Sequence, residues 1–195
     1  MGELVVVRHG ETAWSRSGQH TGLTDLPLTP HGEVQAASLA PALAARAFVA
    51  VLSSPLQRAR RTAELAGLAA EVEPSLVEWD NGDYEGLTTA DIRRQRCDQW
   101  WLFTDGAPGG EDWQQVQRRC ELTLEQVEPR LEGGDVALFG HGHALRALAA
   151  VWVGLPASHG GVLALDPASV SVLTSHHGRR VISRWNDTTA HPGQS

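Results

Sequence analysis

Apolar positions along the chain follow two different periods. Residues 4–7, LVVV, form an unbroken and mostly β-branched run, and residues 48–52, FVAVL, and 135–139, DVALF, have the same character. Short continuous runs of this kind predict strands buried on both faces. Between them the apolar positions fall at helical spacing. Thr29 and Pro30 offer an N-cap and a first-turn proline for a helix to about residue 46. Ser53-Ser54-Pro55 leads into a second helix, to about residue 66. Residues 88–101 and 111–131 read as helices, the second amphipathic, and another runs from about 143 to 153. Segments 162–165, 169–174 and 181–185 read as late strands, some of them antiparallel. Strands alternating with helices imply an α/β fold: one domain over residues 1–190, a mainly parallel sheet with helices on both faces, and room for an antiparallel edge strand. Residues 191–195, beginning with His191, read as a loose tail.

Open α/β sheets bind ligands beyond the carboxyl ends of their strands, and three of the predicted strands end in reactive groups. The first delivers Arg8, His9 and Gly10. The third, in VALFGHGHALR, delivers His141, Gly142 and His143. The second ends in VLSSPLQRARRT, which puts Arg58 in the first turn of a helix whose amides point toward the same edge. Helix N-termini favour anions through free N–H groups and the macrodipole. A dianionic phosphate fits two histidines, two arginines and a helix terminus better than a carboxylate or a metal ion does. Metal sites usually recruit carboxylates or cysteines close by, and adjacent arginines repel a cation. Of the basic cluster, Arg58 alone is expected to point inward, with Arg60 and Arg61 structural or exposed. His31, His159, His176, His177 and His191 stand in turn-like or terminal contexts and read as solvated. Gly10 reads as the position that lets the backbone approach the ligand without a Cβ in the way.

Composition narrows the function classes without changing this picture. Charged residues make up 20% of the chain and apolar ones 42%, an ordinary globular balance. The net charge of −7 argues against a general nucleic-acid binder, while local arginines still allow an anionic substrate. Two cysteines, Cys97 and Cys120, fit reduced thiols rather than a disulfide framework. The first strand follows no basic, hydrophobic leader, and the longest apolar stretch, 144–155, is interrupted by Arg146. A cytoplasmic protein without membrane or nucleic-acid partners is the expectation.

Five motifs, RHGETAW, SGQHTGLTDLPLTPHGE, SSPLQRARRT, EWDNGDYEG and GHGHALR, occur in this order. Together they resemble the histidine phosphatase superfamily, the group of cofactor-dependent phosphoglycerate mutases and related phosphatases, over residues 4–174. The resemblance implies that His9 is the nucleophile that becomes phosphohistidine, that Arg8, Arg58 and His141 hold the transferred phosphoryl, and that Glu78 protonates the leaving oxygen. It places Thr21 and Gly22 in a substrate-facing loop, Gly142 beside the substrate, and Ser15 where the family often has Asn. It implies no cofactor and no metal, and it allows a homodimer, since family members often pair through sheet edges. Asp80, Asp83 and Glu85 surround the Glu78 turn without an assigned role. The Trp100-Trp101-Phe103 cluster reads as core, and Gly109-Gly110-Glu111 as a segment able to close over the pocket.

Classical phosphoglycerate mutases carry a longer insertion after the region matching EWDNGDYEG, and residues 88–110 are short here. The pocket is therefore expected to be open to water, which favours hydrolysis. The motifs are closest to those of sedoheptulose-1,7-bisphosphatase-type and broad acid phosphatases, so the expected reaction is metal-independent hydrolysis of sugar phosphates or bisphosphates. The alternatives are a mutase-type phosphoryl transfer and a silent phospho-ligand binder. The second is disfavoured because Arg8, His9, Arg58, Glu78 and His141 are all retained.

Overall fold

Six strands build one sheet in a computed structural model that describes residues 2–189; the expected tail at 191–195 lies outside them. They are β1 (Leu4–Arg8), β2 (Phe48–Ser53), β3 (Glu71–Val72), β4 (Asp135–Gly140), β5 (Val170–His176) and β6 (Arg179–Asp187), in the spatial order β3-β2-β4-β1-β5-β6. The first four in that order are parallel, while β5 runs antiparallel to β1 and β6 antiparallel to β5. The α/β architecture with a parallel centre and an antiparallel edge is the one the periodicity implied.

The unbroken apolar run of β1 follows from its position. Leu4 and Val6 enter a core shared with helices α7 (Trp113–Leu131) and α8 (Gly142–Trp152). Val5 and Val7 enter a second core on the opposite face, with Leu39, Leu43 and Ala63. All four are 0–1% exposed, and burying each side chain contributes roughly 1.5–3 kcal/mol. A polar residue at any of these positions would face one of the two cores.

Register assembles the strand ends. Arg8 of β1 lies opposite Gly140 of β4, Ser53 of β2 opposite Phe139, and His9 N–H donates to the Gly140 carbonyl at 3.0 Å. The carboxyl ends of three parallel strands are therefore level, with the segment before β5 beside them.

Several boundaries differ from the sequence reading. The helix expected over 29–46 is two helices, α2 (Pro30–Ser38) and α3 (Ala40–Ala44). Thr29 caps the first as predicted, but Pro41 in the first turn of the second has no N–H to continue the ladder. The helix expected over 88–101 is α5 (Thr89–Arg96), ended by Cys97 in a left-handed conformation (φ 59°). Helix α4 (Gln57–Leu65) is close to expectation, whereas the short α1 (Ala13–Ser17), α6 (Leu102–Asp105) and β3 carry too little periodicity to be read in advance. The strand expected over 162–165 is absent. Its surroundings form a 3-10 turn (Ala157–Val162) and an irregular segment, and Val162 is 87% exposed. Carbonyls there are taken by side chains rather than by a strand backbone: Gly160 and Gly161 accept from Arg146, Ala164 from Trp185, and Leu165 from Arg8. No helix among the described residues is long and apolar enough to cross a membrane.

Candidate active site

His9 follows β1 directly and is 4% exposed. Its Nδ1 lies 2.7 Å from the Gly10 carbonyl oxygen. A carbonyl can only accept, so Nδ1 carries the proton and Nε2 is left with its lone pair. Burial, followed by the nearby guanidiniums of Arg58 and Arg8, holds this imidazole well below its ordinary pKa. The fold gives Gly10 a reason of its own to be small. A Cβ there would lie 2.3 Å from the Gly32 carbonyl oxygen, a tight approach to the start of α2.

Arg58 and His141 sit behind His9 and are both fully buried. Arg58 donates from Nε to His141 Nδ1 at 3.1 Å, from Nη1 to the Thr24 carbonyl at 2.8 Å and from Nη2 to the Gly22 carbonyl at 2.9 Å. Three of its five N–H donors are thus committed and two remain. Because an arginine cannot accept, His141 must be protonated on Nε2, which donates to Ser54 Oγ at 2.7 Å. Burial and the same arginine keep His141 neutral, well below its usual pKa, and its ring centroid lies 5.2 Å from that of His9. Arg60 and Arg61 stay outside this layer, as expected, with Arg61 paired to Glu33 and Glu64.

The cavity at this sheet edge has a volume of about 90 Å³. Among its walls are Arg8, His9, Ser15, Thr21, Glu78 and Gly142, all expected there, and it also has Gln19, His143, Arg146 and Leu165. Arg58, His141 and Gly22 do not line it. Gly22 has both backbone groups committed, its carbonyl to Arg58 and its N–H to both oxygens of Glu85 at 2.9 Å. Ser15 Oγ is engaged in the capping box of α1, accepting from Thr12 N–H and donating to the Thr12 carbonyl. Gly142 packs on the Arg8 guanidinium, where a Cβ would come within 3.3 Å of Cζ. Arg8 donates to the Leu165 carbonyl, while its buried Nε meets no hydrogen-bonding group among the described residues. A larger groove, about 610 Å³, is walled by Glu33, Gln57, Arg60 and Arg61 and shares none of these residues.

Glu78 is 4% exposed and faces the N-terminus of α8. Its Oε1 accepts from Trp79 N–H and Ala144 N–H, each at 2.8 Å, and its Oε2 accepts from His143 N–H at 3.1 Å. The first turn of α4 is satisfied in the same way, with Gln57 N–H donating to Asp25 at 2.8 Å. The helix terminus expected to attract phosphate, that of α4, is therefore engaged by a carboxylate of the protein, as is that of α8, and anion attraction in the cavity falls to the arginines.

The Glu78 segment is braced from below. Arg119 of α7 donates to the carbonyls of Ser75, Val77 and Glu78 and pairs with Glu111 at 2.7 Å. Glu111 also accepts from Asp80 N–H. The 109–111 segment thus packs against the back of the 78–82 turn instead of closing over the cavity. Trp100 and Phe103 are core, 1% exposed each, whereas Trp101 is 40% exposed. Arg119, Ser54, Glu85 and Arg146 were not assigned from sequence. The partners that fix each lie eight or more residues away in the chain, so no short motif announces them.

A family model described as histidine phosphatase superfamily (branch 1) matches residues 4–188. The chain is 40% identical to an acid phosphatase of Mycobacterium tuberculosis over 193 residues, covering 97% of this chain and 94% of that one. It is 37% identical to sedoheptulose 1,7-bisphosphatase of Saccharomyces cerevisiae, covering 77% and 67%. A solved structure of a Mycobacterium tuberculosis open reading frame product superposes with a TM-score of 0.93 at 38% identity, covering 97% of this chain and 99% of the other. With a neutral histidine between two arginines at the sheet edge, and a match spanning nearly its whole length, the chain belongs to the histidine phosphatase superfamily, branch 1.

Proposed function

We propose that this enzyme hydrolyses sugar-type phosphomonoesters through a phosphohistidine on His9. The observation that carries this reading is the hydrogen bond from His9 Nδ1 to Gly10, which leaves Nε2 neutral, unprotonated and facing a cavity flanked by arginine. Nε2 attacks phosphorus in line, the bond from phosphorus to the ester oxygen breaks, and the Glu78 carboxyl gives its proton to that oxygen. Water then attacks the phosphohistidine, its proton passes to Glu78, and His9 leaves with its lone pair restored. Arg8 in the cavity wall, backed by the positive charge of the buried Arg58, stabilises charge on the equatorial oxygens. A cavity of about 90 Å³ is far below the roughly 300–1,000 Å³ typical of a site that encloses a whole ligand. It suits a phosphoryl head, with the remainder of the substrate outside. The name of the sedoheptulose 1,7-bisphosphatase relative supports sugar phosphates as the class, and that of the acid phosphatase relative supports phosphoester hydrolysis.

The test is phosphate release in chelator from sugar phosphates, sugar bisphosphates, 3-phosphoglycerate and p-nitrophenyl phosphate. His9→Ala is expected to lower release by about 10⁴-fold or more and to abolish an acid-labile, base-stable phosphoenzyme. A phosphoenzyme that persists in His9→Ala would refute the nucleophile. Conversion of 3-phosphoglycerate to its isomer without phosphate release would replace hydrolysis by phosphoryl transfer.

A further inference from the structure

His143 approaches Glu78 twice. Its backbone N–H donates to Oε2 at 3.1 Å, and its ring Nδ1 lies 3.6 Å from the same oxygen. That ring nitrogen is buried and meets no hydrogen-bonding group among the described residues. The ring is held on both sides, stacked on His20 with centroids 5.5 Å apart and set edge-on to Phe103 at 5.7 Å. The two Glu78 oxygens are unequal. Oε1 already accepts two N–H groups, and an acid hydrogen there would meet both of them. Oε2 accepts one, so the proton of the acid form belongs on Oε2, beside Nδ1 of His143.

We propose that His143 is a positioning residue for the general acid, its Nδ1 lone pair holding the Glu78 proton on Oε2 until an ester oxygen arrives. The proposal rests on the hydrolase reading above. It requires a neutral imidazole protonated on Nε2. The groups facing His143 are Glu78, His20 from the loop after α1, Arg146 from α8 and Arg8 from β1. Burial, then His20 and the two arginines, keeps the ring well below its usual pKa, so the lone pair is available. At 3.6 Å the contact is longer than a formed hydrogen bond, and catalytic contacts of this sort commonly tighten only when substrate binds. The proton moves from Glu78 Oε2 to the leaving oxygen as the phosphorus–oxygen bond breaks. Water returns it to Oε2 in the second step, and His143 undergoes no net change.

The experiment compares glycerol 2-phosphate, whose alkoxide must be protonated as it leaves, with p-nitrophenyl phosphate, whose phenolate need not be. In His143→Leu the ratio of kcat for the alkyl ester to kcat for the aryl ester is expected to fall about tenfold, part of the full effect of a general acid. In His143→Asn, whose amide oxygen replaces Nδ1 as an acceptor, the ratio should return to within roughly threefold of wild type. An equal loss on both esters in the Leu variant, or no recovery in the Asn variant, overturns the proposal. Nitrogen-15 NMR of the wild-type histidines provides a readout that needs no variant to fold. A neutral His143 carrying its proton on Nε2 supports the proposal, and one carrying it on Nδ1, or on both nitrogens near pH 7, overturns it. Wild-type protein that releases phosphate from neither ester refutes the hydrolase reading itself.

Discussion

On the Arg58 side of the cavity the ring nitrogens are committed: His9 Nδ1 to a carbonyl, His141 Nδ1 to a guanidinium and His141 Nε2 to a hydroxyl, with only the His9 Nε2 lone pair left over. On the Glu78 side, His20 and His143 each keep a buried Nδ1 without a hydrogen-bond partner among the described residues. Phosphoryl transfer needs both kinds of wall. Charge on the equatorial oxygens is stabilised best by donors that do not move during the reaction, whereas a general acid has to release and recover a proton. The fixed wall is built from arginine, which cannot lose its charge at working pH, and the adjustable wall from carboxylate and imidazole.

Among changes that leave the nucleophile in place, removing the anchor of the fixed wall should give the largest effect. Arg58→Leu releases the carbonyls of Gly22 and Thr24 and frees His141 to rotate. An activity loss of about 10²–10³-fold is expected, with roughly 2–4 kcal/mol of stability, and Arg58→Lys should not restore the activity because an ammonium cannot make the three divergent contacts. Kinetics beside chemical denaturation would check this, and a Lys variant as active as wild type would break the contrast between the walls. Glu85→Gln sharpens it with a smaller change. Glu85 holds the N–H groups of Gly22 and Thr24 while Arg58 holds the carbonyls of the same residues, so losing the charge should cost about 1 kcal/mol in stability. The same change should raise KM more than it lowers kcat.

The change that separates the two walls least is a pH dependence that both share. His9, His20, His141 and His143 all have pKa values lowered by burial, with Arg58 adding to the shift at His9 and His141 and His20 adding to it at His143. Below about pH 6.5 the unfolded chain takes up protons at these positions and the folded chain does not. Stability is therefore full above that pH and declines as pH falls toward the lowered folded values, by up to about 1.4 kcal/mol per pH unit for each histidine. Melting temperatures between pH 7.5 and 5.5 should show the decline, with a shallower slope in His141→Gln. Equal slopes would show that His141 is not held neutral.

Much of this arrangement could be read before any coordinates. Continuous apolar runs identified β1, β2 and β4; β1 and β4 are covered on both faces and have no solvent side on which to place a polar residue, whereas β2, expected to be buried in the same way, is only partly covered and exposes Val49. Those strands end in Arg8-His9, in the segment leading to Arg58, and in His141, so the level of the sheet edge already gathered the groups proposed to act on phosphate. The 162–165 segment misled for the same reason that the other runs informed. Its side chains resemble a strand, but its Ala164 and Leu165 carbonyls accept from the side chains of Trp185 and Arg8, and nothing in four residues of sequence encodes a partner on another element.

What the sequence determined alone was the parallel α/β centre, the residue types at the strand ends and the family they resemble, since those depend on local periodicity and on short motifs. Tertiary structure decided how the groups are layered. It put Arg8 and Glu78 in the cavity wall and Arg58 and His141 behind it, filled two helix termini with Asp25 and Glu78, and turned the 109–111 segment toward Arg119. Each of those outcomes rests on a contact between residues distant in the chain or on successive elements, or on competition between a carboxylate of the protein and a ligand for the same N–H groups. Such contacts exist only once the chain has closed.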